Sequence, residues 1–288
     1  MRDPYRIPPM LSWQEFLDAV AREPVIDNGS GRAERDDDWA GAGWDEARRL
    51  AVDGWHVPLE GAGITVGLLR ERAGLGAEVT MLEPHWDVTG AEVDIGAYLA
   101  GVPECMVDAV PRRTSTRGRV VTFLIPGTYS HRVPHEWIIN RGLALATLCA
   151  AIIEAGHSVE IWSGWACKLG RRRVTATARV ISAGEPLDVG RLIFAAAHPA
   201  MLRRLWFSVW DGWHADSATE LADGTYGQPP YDCRAEDLPP EITDPYVFPF
   251  LEETDTQWTD LDVALSWCRA MFADLGLVTG ESWELSRS

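Results

Sequence analysis

Val120–Ile125 (VVTFLI) constrains the fold most: it is a continuous apolar, β-branched run of buried-strand length. Pro126-Gly127 ends it. Pro134 then suits a first helical turn, and Ile138, Ile139, Leu145, Leu148, Cys149, Ile152 and Ile153 follow before Gly156. A helix apolar over most of its circumference has to pack against a sheet. Val159–Trp162 reads as the next strand, Lys168–Arg171 as a turn, and Val174–Ser182 alternates like a half-exposed strand. Asp188 and Pro199 introduce helices, and residues 211–243 read as polar and irregular. Tyr246–Leu251 reads as a last strand despite Pro249, and Thr259–Leu275 as an amphipathic helix closed by Gly276. This order predicts the α/β class: a doubly wound, mostly parallel sheet with helices on both faces and one antiparallel edge strand.

The N-terminal part is less regular. Ser12-Trp13-Gln14-Glu15 forms a capping box ahead of Phe16, Leu17 and Val20, and Trp44–Val52 reads as a second short helix. Residues 61–67 (GAGITVG) look like a dinucleotide fingerprint, but the third glycine falls one place late, so a turn is expected. The expected division is a mixed, helical N-terminal extension over 1–115 and an α/β domain over 116–288.

A net charge of −17 sets the chain against nucleic-acid phosphates unless a local basic face overrides it. Lys168 is the sole lysine, so any Schiff base or P-loop ammonium would have to come from it. Of the 14 tryptophans, Trp13, Trp137, Trp206 and Trp267 fall on apolar-periodic segments and are expected in the core. Cys105, Cys149, Cys167, Cys233 and Cys268 form no C-x-x-C, which speaks for free thiols in a reducing cytoplasm. The first residues lack the apolar core of a signal peptide, and no membrane-spanning run is expected. No cofactor motif is present.

From about residue 119 to 275 the element order resembles that of the von Willebrand factor A domain. In that family the first strand ends in D-x-S-x-S, whose oxygens hold a divalent cation. The corresponding stretch is Pro126-Gly127-Thr128-Tyr129-Ser130. The resemblance puts Thr128 and Ser130 at the hydroxyl positions and Pro126 in place of the aspartate. Without that carboxylate, no metal is expected there. Four segments, Trp44–Ala47, Asp94–Leu99, Pro103–Asp108 and Ala197–Arg204, also resemble proteins of unknown function from actinobacterial phages and plasmids. That resemblance implies a mobile-element origin and carries no chemistry.

The loop 126–135 follows a strand's carboxyl end, where open α/β sheets place ligands, and is the first candidate site. His131 and His135 are four apart, but Pro134 lies between them and no third ligand can be named. Ser130 beside His131 lacks the glycines of a nucleophile elbow, and adjacent residues do not form the triad hydrogen bond. Glu252, Glu253 and Asp255 should share the same sheet edge, while Asp211, His214, Asp216 and Asp223 form a second acidic group. Arg171, Arg172 and Arg173 at the hairpin, with Arg112–Arg119, are the basic candidates for phosphate contact. Three readings follow. The first is a non-catalytic interaction or scaffold protein with an unidentified protein partner. The second is a metal-dependent hydrolase using 126–135 with 252–255, and the third a nucleic-acid-associated protein using the arginines.

Overall fold

The computed structural model describes residues 3–33, 37–75, 81–112, 118–224, 226 and 230–277. Its contacts group Met1–Gly76 with Arg119–Leu277 in one compact unit and set Ala77–Gly118 in another. This division differs from 1–115 and 116–288, because the N-terminal helices share the core of the sheet that follows.

The first unit opens with α1 (Trp13–Ala21), α2 (Asp37–Ala40), α3 (Trp44–Asp53), α4 (Val57–Ala62) and α5 (Val66–Arg72). Ser12 caps α1 by accepting from the Glu15 N–H, as the sequence predicts, while the Glu15 carboxylate takes the Leu11 N–H. The fingerprint-like stretch is a turn between two helices: Gly63 closes α4 at φ 61°, and the Thr65 hydroxyl caps α5.

The second unit contains β1 (Met81–Asp87), β2 (Glu92–Val93), α6 (Ile95–Leu99) and β3 (Met106–Arg112). Both β1 and β2 pair antiparallel with β3, giving the order β1-β3-β2. Asp94 starts α6 by accepting from the Gly96 and Ala97 N–H groups.

The first unit continues with β4 (Val120–Pro126), α7 (His135–Glu154), β5 (Ser158–Leu169) and β6 (Arg172–Ile181). After these come α8 (Val189–Ala197), α9 (Phe207–Asp211), α10 (Ala215–Asp223), β7 (Tyr246–Val247) and α11 (Leu261–Asp274). The sheet order is β6-β5-β4-β7, with β4 parallel to β5 and β7, and β6 antiparallel to β5 at the end of the series. Residues 5–10 run along the free side of β6, where the Ile7 and Met10 N–H groups donate to the Thr175 and Thr177 carbonyls. That pairing covers an edge that would otherwise be a template for association.

The protein is therefore mixed α/β, but its layers differ from a doubly wound sheet. One sheet face carries Val121, Phe123, Ile125, Val159, Ile161, Trp165, Val174, Ala176 and Ala178. Buried residues of α1, α3, α5, α7, α8, α9, α10 and α11 all join this same core. The opposite face, with Leu124, Trp162 and Ala166, is covered by the irregular segment of Tyr231, Cys233, Leu238 and Ile242. Two local readings also change. Residues 211–243 contain α10, whose helical period (Ser217, Ala218 and Leu221 buried) is masked by short length and polar composition. The last strand is cut to two residues before Pro249, and Leu251 rejoins the sheet through a bridge to Tyr129.

The helix α7 is the centre of the unit. Thirteen of its 20 residues are buried, and it packs against α5, α8, α11 and β5. An added Cβ at Gly142 would lie 2.6 Å from the Ala197 Cβ, so glycine there sets how closely α7 and α8 approach. By length and composition α7 alone among the described residues could cross a bilayer, although no spanning run is apparent in the sequence; 72% of its apolar window is buried inside the protein. Ile152 has no exposed surface. Changing Ile152 to Asp strands a carboxylate in this core and is expected to cost about 4 kcal/mol or more in urea unfolding. A variant as stable as the wild type would show the helix to be peripheral.

Candidate functional site

The two loops singled out by sequence meet at the carboxyl end of β4. The Tyr129–Leu251 bridge, with the Ser130 N–H donating to the Leu251 carbonyl at 2.9 Å, sets residues 128–130 beside the turn 252–255. That turn closes on itself, because the Glu252 N–H donates to Asp255 Oδ2 at 2.8 Å. His131 lies in the loop and is exposed; His135 is the first residue of α7, after an extended Pro134. Arg132 pairs with Glu253 at 3.2 Å on the surface. Among the described residues, no group of three or more His, Cys, Asp or Glu is placed to hold a metal ion.

Beneath these loops lies a buried polar cluster in which the candidate Thr128 is joined by Tyr129 and Arg141, two residues the sequence reading did not single out. Arg141, on the second turn of α7, is 2% exposed. Its Nη2 donates to the carbonyls of Pro126 at 3.0 Å and Ala196 at 3.4 Å, which ties β4 to the end of α8. Its Nε is buried without a partner, as are the Thr128 hydroxyl and the Tyr129 hydroxyl. Burial pulls the Arg141 pKa down to about 10, against the opposing charges of Asp255 and Tyr129, so it stays cationic at neutral pH. Burial also raises the Tyr129 pKa, opposed by Arg203 and Arg141. Arg203 stands over the Tyr129 ring, 5.5 Å from its centroid.

Two histidines border this cluster. Partial desolvation and then the Arg203 charge lower the His135 pKa. His198 is buried between Trp55 and Phe194, and its Nδ1 accepts from the Ala200 N–H at 3.1 Å. Desolvation, followed by His135, lowers its pKa from 6.5 to about 4. One sequence signal marked the site: Arg141 is a lone cation within an otherwise apolar helical run.

The other candidates are held in structural contacts. The Asp211 carboxylate is buried, accepting from the Tyr226 hydroxyl at 2.5 Å and the Gly31 N–H at 3.1 Å, while His214 caps α10. Asp211 therefore ties residues 29–31 to α9 and forms no ligand set with Asp216 and Asp223. Arg171 is exposed at the hairpin, but Arg172 lies over the Tyr5 ring and pairs with Glu220 at 3.7 Å. A groove of about 410 Å³ beside them is lined by Glu220 and Asp223 as well as Arg171 and Arg172, which offsets their charge toward phosphate. Arg173 makes a two-pronged pair with the buried Asp237, at 2.6 and 2.5 Å. The Arg112–Arg119 loop lies largely outside the described residues.

Two measurements check this assignment. Changing Arg173 to Ser leaves Asp237 buried and unpaired and is expected to cost about 3 kcal/mol, whereas Arg171→Ser should leave stability unchanged. Equal effects from the two would refute the division. The folded pKa of His198 lies below its unfolded value, so the unfolded chain binds more protons between pH 6.5 and about 4. Stability contributed by the neutral ring should thus be lost as pH falls through that window, on the order of 3 kcal/mol in all. His198→Asn, which keeps an acceptor for Ala200, should flatten that part of the pH profile; an unchanged profile would contradict it.

No curated protein and no solved structure matches the chain. A family model described as "Domain of unknown function (DUF7192)" matches residues 3–279. The chain accordingly belongs to the DUF7192 family.

Proposed function

We propose that this is a non-catalytic interaction protein that engages a protein partner through the small unit of Ala77–Gly118. The observation that carries this reading is α6, which buries none of its residues and leaves Ile95, Tyr98 and Leu99 exposed by 70%, 63% and 79%. Val93 and Val102 beside it are also exposed. Covering one such side chain is worth about 1.5–3 kcal/mol, so a cluster of them is a strong reason to bind. Asp87, Glu92, Asp94 and Glu104 flank these residues in sequence and call for a partner with basic residues around an apolar centre. A second copy of a chain of charge −17 fits that requirement poorly.

The strand order with its antiparallel β6 supports kinship with the von Willebrand A core in strand order alone. Pro126 in place of the metal aspartate, and the pairing of Glu253 to Arg132, weigh for binding over metal-dependent hydrolysis. The ion pairs of Arg172 and Arg173 remove much of the support for nucleic-acid contact. The free thiols fit a cytoplasmic setting. A mobile-element origin rests on the four sequence segments only.

The test compares capture from extracts of the source cell by the wild type and by an Ile95→Ser, Leu99→Ser double variant. Because α6 buries nothing, the variant should melt like the wild type. The expected result is a basic protein retained only by the wild type. Its purified form should bind at least tenfold more weakly to the variant, and more weakly at high salt. Equal binding by the two forms, or no salt dependence, would refute the proposal.

A further inference from the structure

We infer that the carboxyl end of the sheet binds a small oxyanion, a carboxylate or phosphate group, on Arg141 with the hydroxyls of Thr128 and Tyr129. A buried charge is expensive unless paired, and the hydrogen bonds of Arg141 go to carbonyls rather than to a carboxylate. Its acceptors are two neutral carbonyls, both on Nη2, and its Nε has none. The carboxylate whose charge reaches it, Asp255, already accepts from the Glu252 N–H and from Gln257 Nε2.

Thr128 and Tyr129 strengthen the case. Thr128 is 5% exposed and follows Pro126, whose carbonyl Arg141 holds, by two residues. Its hydroxyl and that of Tyr129 are buried donors without acceptors. Native proteins seldom leave such groups unsatisfied, and the two hydroxyls and the Arg141 Nε, all near the end of β4, lack the same thing, an acceptor. A planar guanidinium matches the oxygens of carboxylate and phosphate alike. Arg203, over the Tyr129 ring, adds a second positive charge beside the cluster. The position is also where open α/β sheets hold ligands.

The full chain is titrated calorimetrically with inorganic phosphate and, separately, with acetate, and melted in each salt against chloride at matched ionic strength. The expected result is one site per chain for at least one of the two anions, with a rise in melting temperature by mass action. Which anion binds assigns the group. Arg141→Met should abolish binding, but it also removes the β4–α8 tie and can unfold the chain. Tyr129→Phe and Thr128→Val remove single hydroxyls and keep the packing; each should weaken binding about tenfold without lowering the melting temperature in chloride. Absence of binding by both anions would overturn the inference, as would binding or an anion-induced melting shift that both hydroxyl variants retain in full. In that case Arg141 serves only to tie β4 to α8.

Discussion

A helix that is apolar almost all round has to be covered on every side, and α7 imposes that requirement on the rest of the chain. The sheet covers one side through β5, and α8 and α11 cover two more. The remaining side falls to α5, more than sixty residues upstream, whose Arg70 pairs with Glu154 at the end of α7. Asn140 donates to the Trp258 carbonyl at 3.1 Å, and the Cys268 thiol to the Ala144 carbonyl at 3.1 Å, fixing the rotation of α7 against the α11 side. This demand for cover explains why residues far apart in sequence share one core, and why the helices gather on a single face of the sheet.

The same crowding creates the polar cluster. With α7 held against the end of β4, a cation on its second turn cannot reach solvent. Arg141 then meets the carbonyls of Pro126 and Ala196, close to the loop where the sheet's parallel strands end. A buried charge retained in that position is weak evidence for stability, because an apolar residue of similar volume commonly serves as well. The proposed anion would give that charge a counterpart that the carbonyls of Pro126 and Ala196 do not. The exposed apolar residues of α6 belong to another part of the chain and another kind of recognition, so the two readings stand or fall separately.

Much of the fold was legible because the strongest signals were local. Val120–Ile125 and Val174–Ser182 were strands by pattern, and Ser12, Asp188 and Gly156 marked helix ends by their own chemistry. The layering was not legible, since periodicity shows that a face is buried and not which neighbour buries it. Residues 5–10 carry no strand pattern and pair with β6 only because that edge is free. The two candidate loops were rightly suspected of sharing the sheet edge, on topology alone. Arg173 read as part of a basic turn because its partner Asp237 lies sixty-four residues away. Arg141 was overlooked because a charge in an apolar helix looks like an interruption until its surroundings are known.

Native-state hydrogen exchange tests whether cover of α7 binds the two distant stretches into one cooperative unit. Amides of α1 and α5 should open with the same free energy as those of α7 and β5, and should follow it together as urea is added. If α1 and α5 instead exchange through a separate opening, leaving α7 protected, the N-terminal helices are an appended layer. Coverage of α7 would then not be what organises this fold.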